Sequence, residues 1–389
     1  MIRVAFALQE DESWMGGVNY LKNLLYAVST FGDRIEPLLF MGNASTERTI
    51  RLFEPYARIF QHAIFDKKSI PWYLRKFGLK LIGSDRMCAA LLSKKGVQVA
   101  SHCSISGSDF PFKTINWIPD FQHLHLPELF SAREISERNR KYRKRIEESD
   151  RMVVSSHAAL ADLVAFAPEF AHKARVLHFV SQPTSAMYEL GRREKVEQQY
   201  GVTGRFFYLP NQLWRHKNHQ TVFEAIDILK RSGVDIRLVC TGNSVGMTGD
   251  LHSAQLLSFM SDRGLEENIR ILGLVDYEDV LYFMRHSVSV INPSLFEGWS
   301  STVEEAKSIG KNMILSDIPV HREQNPPDTV YFAPLNAEQL AKRLSERWRE
   351  RIGGPDFELE KVARNGLEQR TRDFASTYQN VVLEASGRN

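Results

Sequence analysis

Short apolar runs alternate along this chain with longer segments whose apolar residues recur every three or four positions. Ile2 to Gln9 reads as a strand, Val18 to Phe31 as an amphipathic helix and Glu36 to Met41 as a second strand, because buried strands are continuous apolar runs while helices repeat near 3.6 residues. Further strands are expected over Thr114–Ile118, Arg151–Ser155 and Val176–Val180. Ser131 and Glu134 have the spacing of a capping box opening a helix to about Glu148. After a polar helical connector over Arg192–Tyr200 the rhythm restarts. Strands are expected over Arg205–Leu209, Ile236–Thr241, Ile269–Val275, Val288–Pro293 and Asn312–Ser316, with helices over Asn218–Ser232, Leu251–Arg263, Tyr277–His286 and Ser301–Ile309. A helix over Ala337–Glu350 and a helical tail from Glu358 to Ala385 finish the pattern. Strand and helix alternating in this way predict two successive α/β halves, each around a parallel sheet.

Length agrees, since 389 residues are more than one hydrophobic core usually serves. With 43% hydrophobic and 25% charged residues the composition is neither that of a disordered chain nor of a fibrous repeat. The apolar stretches, such as Val288–Pro293, fall well short of the roughly 18 residues a bilayer requires. The N-terminal run Met1–Leu8 turns acidic at Glu10 and is too short for a secretory signal. Cys88, Cys103 and Cys240 are odd in number and lack metal-ligand spacing, as expected of free thiols in a reducing compartment, so a cytoplasmic protein is expected. A net charge of +3 is too weak to call for a nucleic-acid partner.

Charge distribution adds one feature. Residues 66–96 hold eight basic residues against two acidic ones, Asp66 and Asp85. Within them Ile70, Tyr73, Leu74, Phe77 and Leu81 recur at helical spacing beside Arg75, Lys76 and Lys80. The favoured reading is an ordinary helix with its apolar face on the core and a solvated basic face; the alternative is peripheral contact with a membrane surface. The mixed charges from Arg133 to Arg151 read as a solvated helix face.

Candidate chemistry concentrates where strands end. Two halves, each too open to enclose a large ligand, put the expected site in the cleft between them, at the carboxyl ends of the strands. Pro293 to Ala306 lies where a buried strand gives way to a helix, whose first N–H groups suit a phosphate. Glu297 and Glu305 can face one cleft, Gly298 lets backbone approach, and a carboxylate pairs well with the vicinal hydroxyls of a sugar. Ser301 or Thr302 could instead simply cap the helix. Upstream, Asn211 to His219 places Arg215 and Lys217 on another strand-to-helix loop, fit to neutralise a leaving diphosphate. Gly16 and Gly17, between the first strand and its helix, allow backbone amides near a phosphate or sugar.

These residues resemble a known family. Glu297 and Glu305 match the E-x7-E motif of the retaining glycosyltransferases of family 4, which have the GT-B fold. Gly16-Gly17, Val154-Ser155-Ser156, Arg215-His216-Lys217-Asn218, Gly242, Leu272-Gly273-Leu274-Val275 and Ser316-Asp317 with Pro319 are similar to other segments of that family. The resemblance implies two Rossmann-like domains facing a central cleft: an acceptor-binding domain over residues 1–187, a nucleotide-sugar-binding domain over 188–365, and a C-terminal helix, 366–389, packing back on the first. It implies that Glu297 holds hydroxyls of the transferred sugar and Glu305 the ribose. Lys217, with Arg215, would hold the diphosphate, helped by backbone near Thr302 and Val303 and by Gly17, with the base near Gly273 and Leu274; Asn211, Gln212, Gly242, Gly298 and Ser301 complete the implied nucleotide-sugar site.

Two positions depart from the family pattern. Pro119-Asp120 stands where many members have a His-Asp pair, so that either His123 or Gln122 supplies the contact or the sugar is handled differently, and Gln212 stands where many carry an arginine. No catalytic metal or cofactor is expected; His123 and His125 lack a sensibly spaced third ligand. The implied reaction is retaining transfer of a hexosyl unit from a UDP- or GDP-sugar to an oligosaccharide or lipid-linked acceptor in bacterial surface polysaccharide synthesis. The alternatives are an epimerase or hydrolase of the same fold, or a non-catalytic glycan-binding subunit.

Overall fold

Every strand pairing in the computed structural model, which describes residues 1–8, 15–103, 110–184, 192–243 and 251–388, is parallel. The strands form two sheets, one in each of two compact units. The first unit comprises Met1–Val180 with Glu368–Asn389, and the second Ser181–Leu367. In the first, β1 (Ile2–Ala7), β2 (Ile35–Met41), β3 (Arg58–Gln61), β4 (Val99–Ser101), β5 (Lys113–Ile118), β6 (Arg151–Val154) and β7 (Ala174–Val176) lie in the order 3-2-1-4-5-6-7. In the second, β8 (Phe207–Leu209), β9 (Leu238–Cys240), β10 (Ile269–Ile271), β11 (Val290–Asn292), β12 (Met313–Ser316) and β13 (Thr329–Phe332) lie in the order 10-9-8-11-12-13. Both are Rossmann-like orders, in which the chain winds outward from the middle in both directions.

Alternation along the strands explains why helices cover both faces of the second sheet. Phe207, Leu209, Leu238, Cys240, Ile291 and Ile314 are buried on one face with Val222, Phe223 and Ile226 of the helix His219–Arg231 and Leu340 and Leu344 of the helix Ala337–Glu350. Tyr208, Val239, Val290, Met313 and Leu315 are buried on the other with Leu281 and Phe283 of the helix Tyr277–His286 and Val303 and Ala306 of the helix Ser301–Ile309. A strand buried on both sides is apolar at nearly every position, which is why these segments read as apolar runs.

Three strands escaped the sequence reading. β3 is a partly exposed edge strand, β4 has three residues, and β13 is half-buried along most of its length. The strand expected over Val176–Val180 is also corrected: β7 is Ala174–Val176, and Leu177, Phe179 and Val180 are buried beyond its end. Burial alone makes those residues apolar.

The last helix, Phe357–Ser386, belongs to the second unit as far as Leu367 and to the first from Glu368. Its early turns are fixed by Glu360, which accepts from Arg285 Nε at 2.7 Å. Later, Tyr378 donates to Ser101 Oγ at 2.7 Å, and Glu384 pairs with Arg151 and Arg175 at 3.1 and 2.7 Å. The capping box at Ser131 is present, with Glu134 reaching back to the Ser131 amide.

The helix Ile70–Ile82 overturns the favoured reading of its segment. Its apolar stripe faces solvent, and Arg75 is the buried residue. Asp85, the N-cap of the next helix, Arg86–Lys94, accepts from Arg75 Nε at 2.7 Å and from the Cys88 amide at 3.2 Å. Arg75 also lies over the Phe65 ring. With Arg75 4% and Asp85 1% exposed, neither charge can be left alone, so the pair sets which side of the helix turns inward. Asp85→Ala should therefore destabilise the N-terminal unit by about 3–5 kcal/mol, read as a lower urea midpoint of its unfolding transition.

Candidate functional site

In a parallel sheet whose strand order reverses, the chains leaving the two central strands turn to opposite sides and leave a crevice at the carboxyl ends. In the second unit those strands are β8 and β11. β8 leads into Asn211–Lys217 and β11 into Pro293–Ser300, so the fold itself juxtaposes two loops some 80 residues apart.

Lys217 Nζ meets Glu297 Oε1 at 2.6 Å there, with both side chains largely buried. Ser294 donates its hydroxyl to the same oxygen at 2.7 Å, and the Leu295 amide donates to the His216 carbonyl at 2.8 Å. Burial alone would raise the Glu297 carboxyl, but the charge and hydrogen bond of Lys217 and the Ser294 hydroxyl outweigh it and hold the group at about 2. His216 is driven down to about 4 by burial and by Lys217. The turn into the following helix is made by Asn218 at φ 56°, whose side chain donates to the carbonyls of Pro293 and Pro334 at 3.0 and 2.6 Å.

Glu305 is a carboxylate of opposite character. It is buried one turn into the helix Ser301–Ile309 and, among the described residues, accepts a hydrogen bond from Tyr277 Oη at 3.1 Å. Burial raises it to about 7, only partly offset by the tyrosine. The cap of that helix is neither Ser301 nor Thr302 but Ser300, whose hydroxyl accepts from the Val303 amide at 3.3 Å.

Around the two glutamates a polar frame holds the loops. Asn292 donates to Ser300 Oγ at 2.7 Å and accepts from Asn211 Nδ2 at 3.1 Å, while Thr302 donates to Asn211 Oδ1 at 3.2 Å. Asn211 and Thr302 thus act as supports through their side chains. Gln212 Oε1 accepts from the Asn243 amide at 2.5 Å, joining the loops after β8 and β9. Gly242 donates its amide to the Gly273 carbonyl at 2.9 Å with φ 146°, and a Cβ there would lie 2.5 Å from the Asn211 carbonyl oxygen, so only glycine fits. Gly298 is buried, Leu274 is exposed, and Arg215 is exposed in the short turn Arg215–Lys217 without an ion-pair partner among the described residues.

Several residues of this site were not singled out in the sequence. Ser294 and Asn292 are polar groups ending a buried strand, a signal the sequence does carry. Tyr277 and His321 gave none, because they come from other segments of the chain. His321 is buried, with Nδ1 2.9 Å from the Ser316 carbonyl and Nε2 without a partner among the described residues. Burial holds it near 4, although Glu297 opposes this.

In the first unit the strand order reverses between β1 and β4. A cavity of about 320 Å³ opens there, lined by Gly17, Tyr20, His102, Trp117, Lys141 and Arg145 among others. Tyr20 stacks on Trp117 at 4.1 Å and shares a 2.9 Å hydrogen bond with His102 Nε2. Gly16 and Gly17 lie in the first turn of the helix Met15–Phe31, not ahead of it. Asp120 accepts from the Gln122 amide at 3.0 Å. His123 is buried against Phe121, Phe130 and Tyr142 with Nε2 2.9 Å from Asn139 Oδ1, and His125 pairs with Asp162. The structure thus gathers Lys217, Glu297, Asn211 and Thr302 into one bonded network, and puts Gly17, Asp120 and His123 in the other unit.

Residues 192–356 match the family described as glycosyl transferases group 1. HepE of Anabaena, solved in complex with UDP and glucose, is similar over 98% of this chain and 99% of its own, at 14% identity and a TM-score of 0.69. Sucrose-phosphate synthase from Thermosynechococcus elongatus is similar over 99% and 97% at 13% identity and a TM-score of 0.66. A UDP-forming α,α-trehalose-phosphate synthase from Burkholderia xenovorans is similar over 100% and 99% at 12% identity and a TM-score of 0.66. No curated protein matches the chain significantly. The likeness is one of fold: two Rossmann-like domains of the GT-B class.

The Lys217–Glu297 pair has a measurable signature. Its depressed carboxyl contributes stability that is present above the ordinary Glu value of 4.5 and is lost as pH falls toward about 2. Lys217→Ala strands a buried carboxylate and should cost about 3 kcal/mol, whereas Lys217→Ala/Glu297→Gln should cost less than the sum of the single changes by about 1–3 kcal/mol. Urea unfolding of the four proteins in the cycle checks both figures.

Proposed function

We propose that the protein is a retaining glycosyltransferase that moves a hexosyl unit from a nucleoside-diphosphate sugar, UDP- or GDP-linked, to an acceptor glycan. The observation that carries this reading is the buried Lys217–Glu297 pair at the point where the second sheet reverses its strand order. Leaving of the diphosphate builds negative charge on phosphate and positive charge on the sugar ring, so a site for it needs a cation and a hydroxyl-binding carboxylate side by side. Lys217 is held at a fixed place by Glu297, whose carboxylate Ser294 in turn anchors, ready to answer the leaving phosphate without reorganisation. Glu297, kept ionised, accepts from sugar hydroxyls. Glu305 accepts from the ribose, and exposed Arg215 assists at the diphosphate. These cations supply the charge that a divalent metal supplies elsewhere, so the reaction is read as metal-independent.

No side-chain nucleophile is required if the acceptor hydroxyl attacks from the face the diphosphate leaves, which retains the anomeric configuration. The three cysteines, all buried and unpaired, support work in the reducing cytoplasm, and no helix among the described residues is long and apolar enough to cross a membrane.

A thermal-shift panel of UDP, GDP, ADP and their sugar conjugates tests the donor assignment, beginning with UDP because HepE was solved with it. One nucleotide should raise the melting midpoint of the wild type by mass action and leave that of Lys217→Ala unchanged; a panel with no shift overturns the reading. Stabilisation by a donor without transfer to any glycan would point to a binding subunit. EDTA should leave transfer undiminished.

Donor binding should also depend on pH through Glu305. Its raised value means that it is partly protonated near pH 7, and only the ionised form accepts both ribose hydrogen bonds. Affinity should rise from pH 6 to pH 8 in the wild type more steeply than in Glu305→Gln, which shares every other titrating group. Calorimetric titration of the nucleotide at both pH values makes the comparison.

A further inference from the structure

The helix Ile70–Ile82 turns a continuous apolar stripe to water. Ile70, Tyr73, Leu74, Phe77 and Leu81 are between 55% and 76% exposed, and at helical geometry they cover an arc of about 100°. Fraying does not account for it. The opposite side of the helix is anchored by the buried Arg75–Asp85 pair, Ser69 caps its start by accepting from the Trp72 amide at 3.1 Å, and Gly83 ends it in the left-handed conformation. A rigid helix that hides an arginine and exposes five large apolar side chains is built to meet a partner.

The surrounding charge indicates which kind. Lys67, Lys68, Lys76 and Lys80 are exposed around the stripe, and no acidic residue occurs from Lys67 to Ser84. Trp72 and Tyr73 sit edge to face at 5.0 Å at the start of the helix, with Lys76 over the Trp72 ring at 5.6 Å. Apolar side chains on one face, long-stemmed lysines at the margin and an aromatic pair between them suit the boundary between headgroups and acyl chains. A protein partner would have to cover the same stripe and neutralise four lysines at once. Anionic lipid does both.

We propose that the helix Ile70–Ile82 is a monotopic docking element that lies in the plane of an anionic membrane surface, inserting Ile70, Tyr73, Leu74, Phe77 and Leu81 while the lysines contact lipid phosphates. This goes beyond the glycosyl-transfer reading and does not depend on it. Docking of this kind confines the protein to two dimensions, beside any substrate carried on a lipid.

The test is co-sedimentation of the full chain with vesicles of phosphatidylcholine alone or mixed with phosphatidylglycerol, at low and high salt. Wild type should bind the mixed vesicles and release from them as salt rises. Leu74→Glu/Phe77→Glu should weaken binding at least about tenfold with an unchanged melting midpoint, since both side chains already face solvent. Lys76→Glu/Lys80→Glu should weaken binding and flatten its salt dependence. Failure of the wild type to bind either vesicle, or equal binding by Leu74→Glu/Phe77→Glu, overturns the proposal. So does a lipid-free dimer in analytical ultracentrifugation that Leu74→Glu/Phe77→Glu dissolves, which would make the stripe an interface between copies.

Discussion

The ion pair of Lys217 with Glu297 exists because a parallel sheet must reverse its strand order somewhere. β8 and β11 are neighbours in space but are separated in the chain by two further strands and their helices. Their outgoing loops meet at one end because parallel strands all present their carboxyl ends there. Two charges buried at that meeting point are tolerable only together, so the ion pair itself fixes the two loops to each other. Asn211, Asn292, Ser294, Ser300 and Thr302 complete the arrangement: Asn211 joins its loop to Asn292 and to Thr302 of the following helix, while the Asn292–Ser300 and Ser294–Glu297 hydrogen bonds brace the second loop internally.

Two glutamates eight positions apart are thereby driven in opposite directions. Burial acts on both, but Glu297 has a lysine and a serine hydroxyl against one oxygen, whereas Glu305 has the Tyr277 phenol. Lysine decides the difference, since a full charge at hydrogen-bond distance in a dry site outweighs a neutral donor. One carboxylate is thus ionised beside a cation at neutral pH, and the other is poised to titrate there.

A second buried pair has a comparable effect in the other unit. Arg75 and Asp85 are ten residues apart, and satisfying them rotates a whole helix so that its apolar residues face outward. Leaving those apolar side chains in water forgoes about 1.5–3 kcal/mol each, so the exposed stripe is the cost that this orientation of the helix carries.

The sequence by itself determined the α/β alternation, the two parallel sheets and the strand-to-helix loops that carry Lys217, Glu297 and Glu305, because apolar runs and helical periodicity are local consequences of burial on one or two faces. It did not reveal β3, β4 or β13, where polar residues such as Gln61, Ser101 and Thr329 break up the apolar run. Tertiary structure alone decided that Lys217 touches Glu297, that Tyr277 reaches Glu305, and that His321 lies beside the pair, since these contacts join segments separated by between about 20 and 80 residues. It also decided the orientation of the helix Ile70–Ile82. A helical wheel shows that one side is apolar, but which side faces the core depends on Asp85, and that partner is brought into place only when the chain has folded.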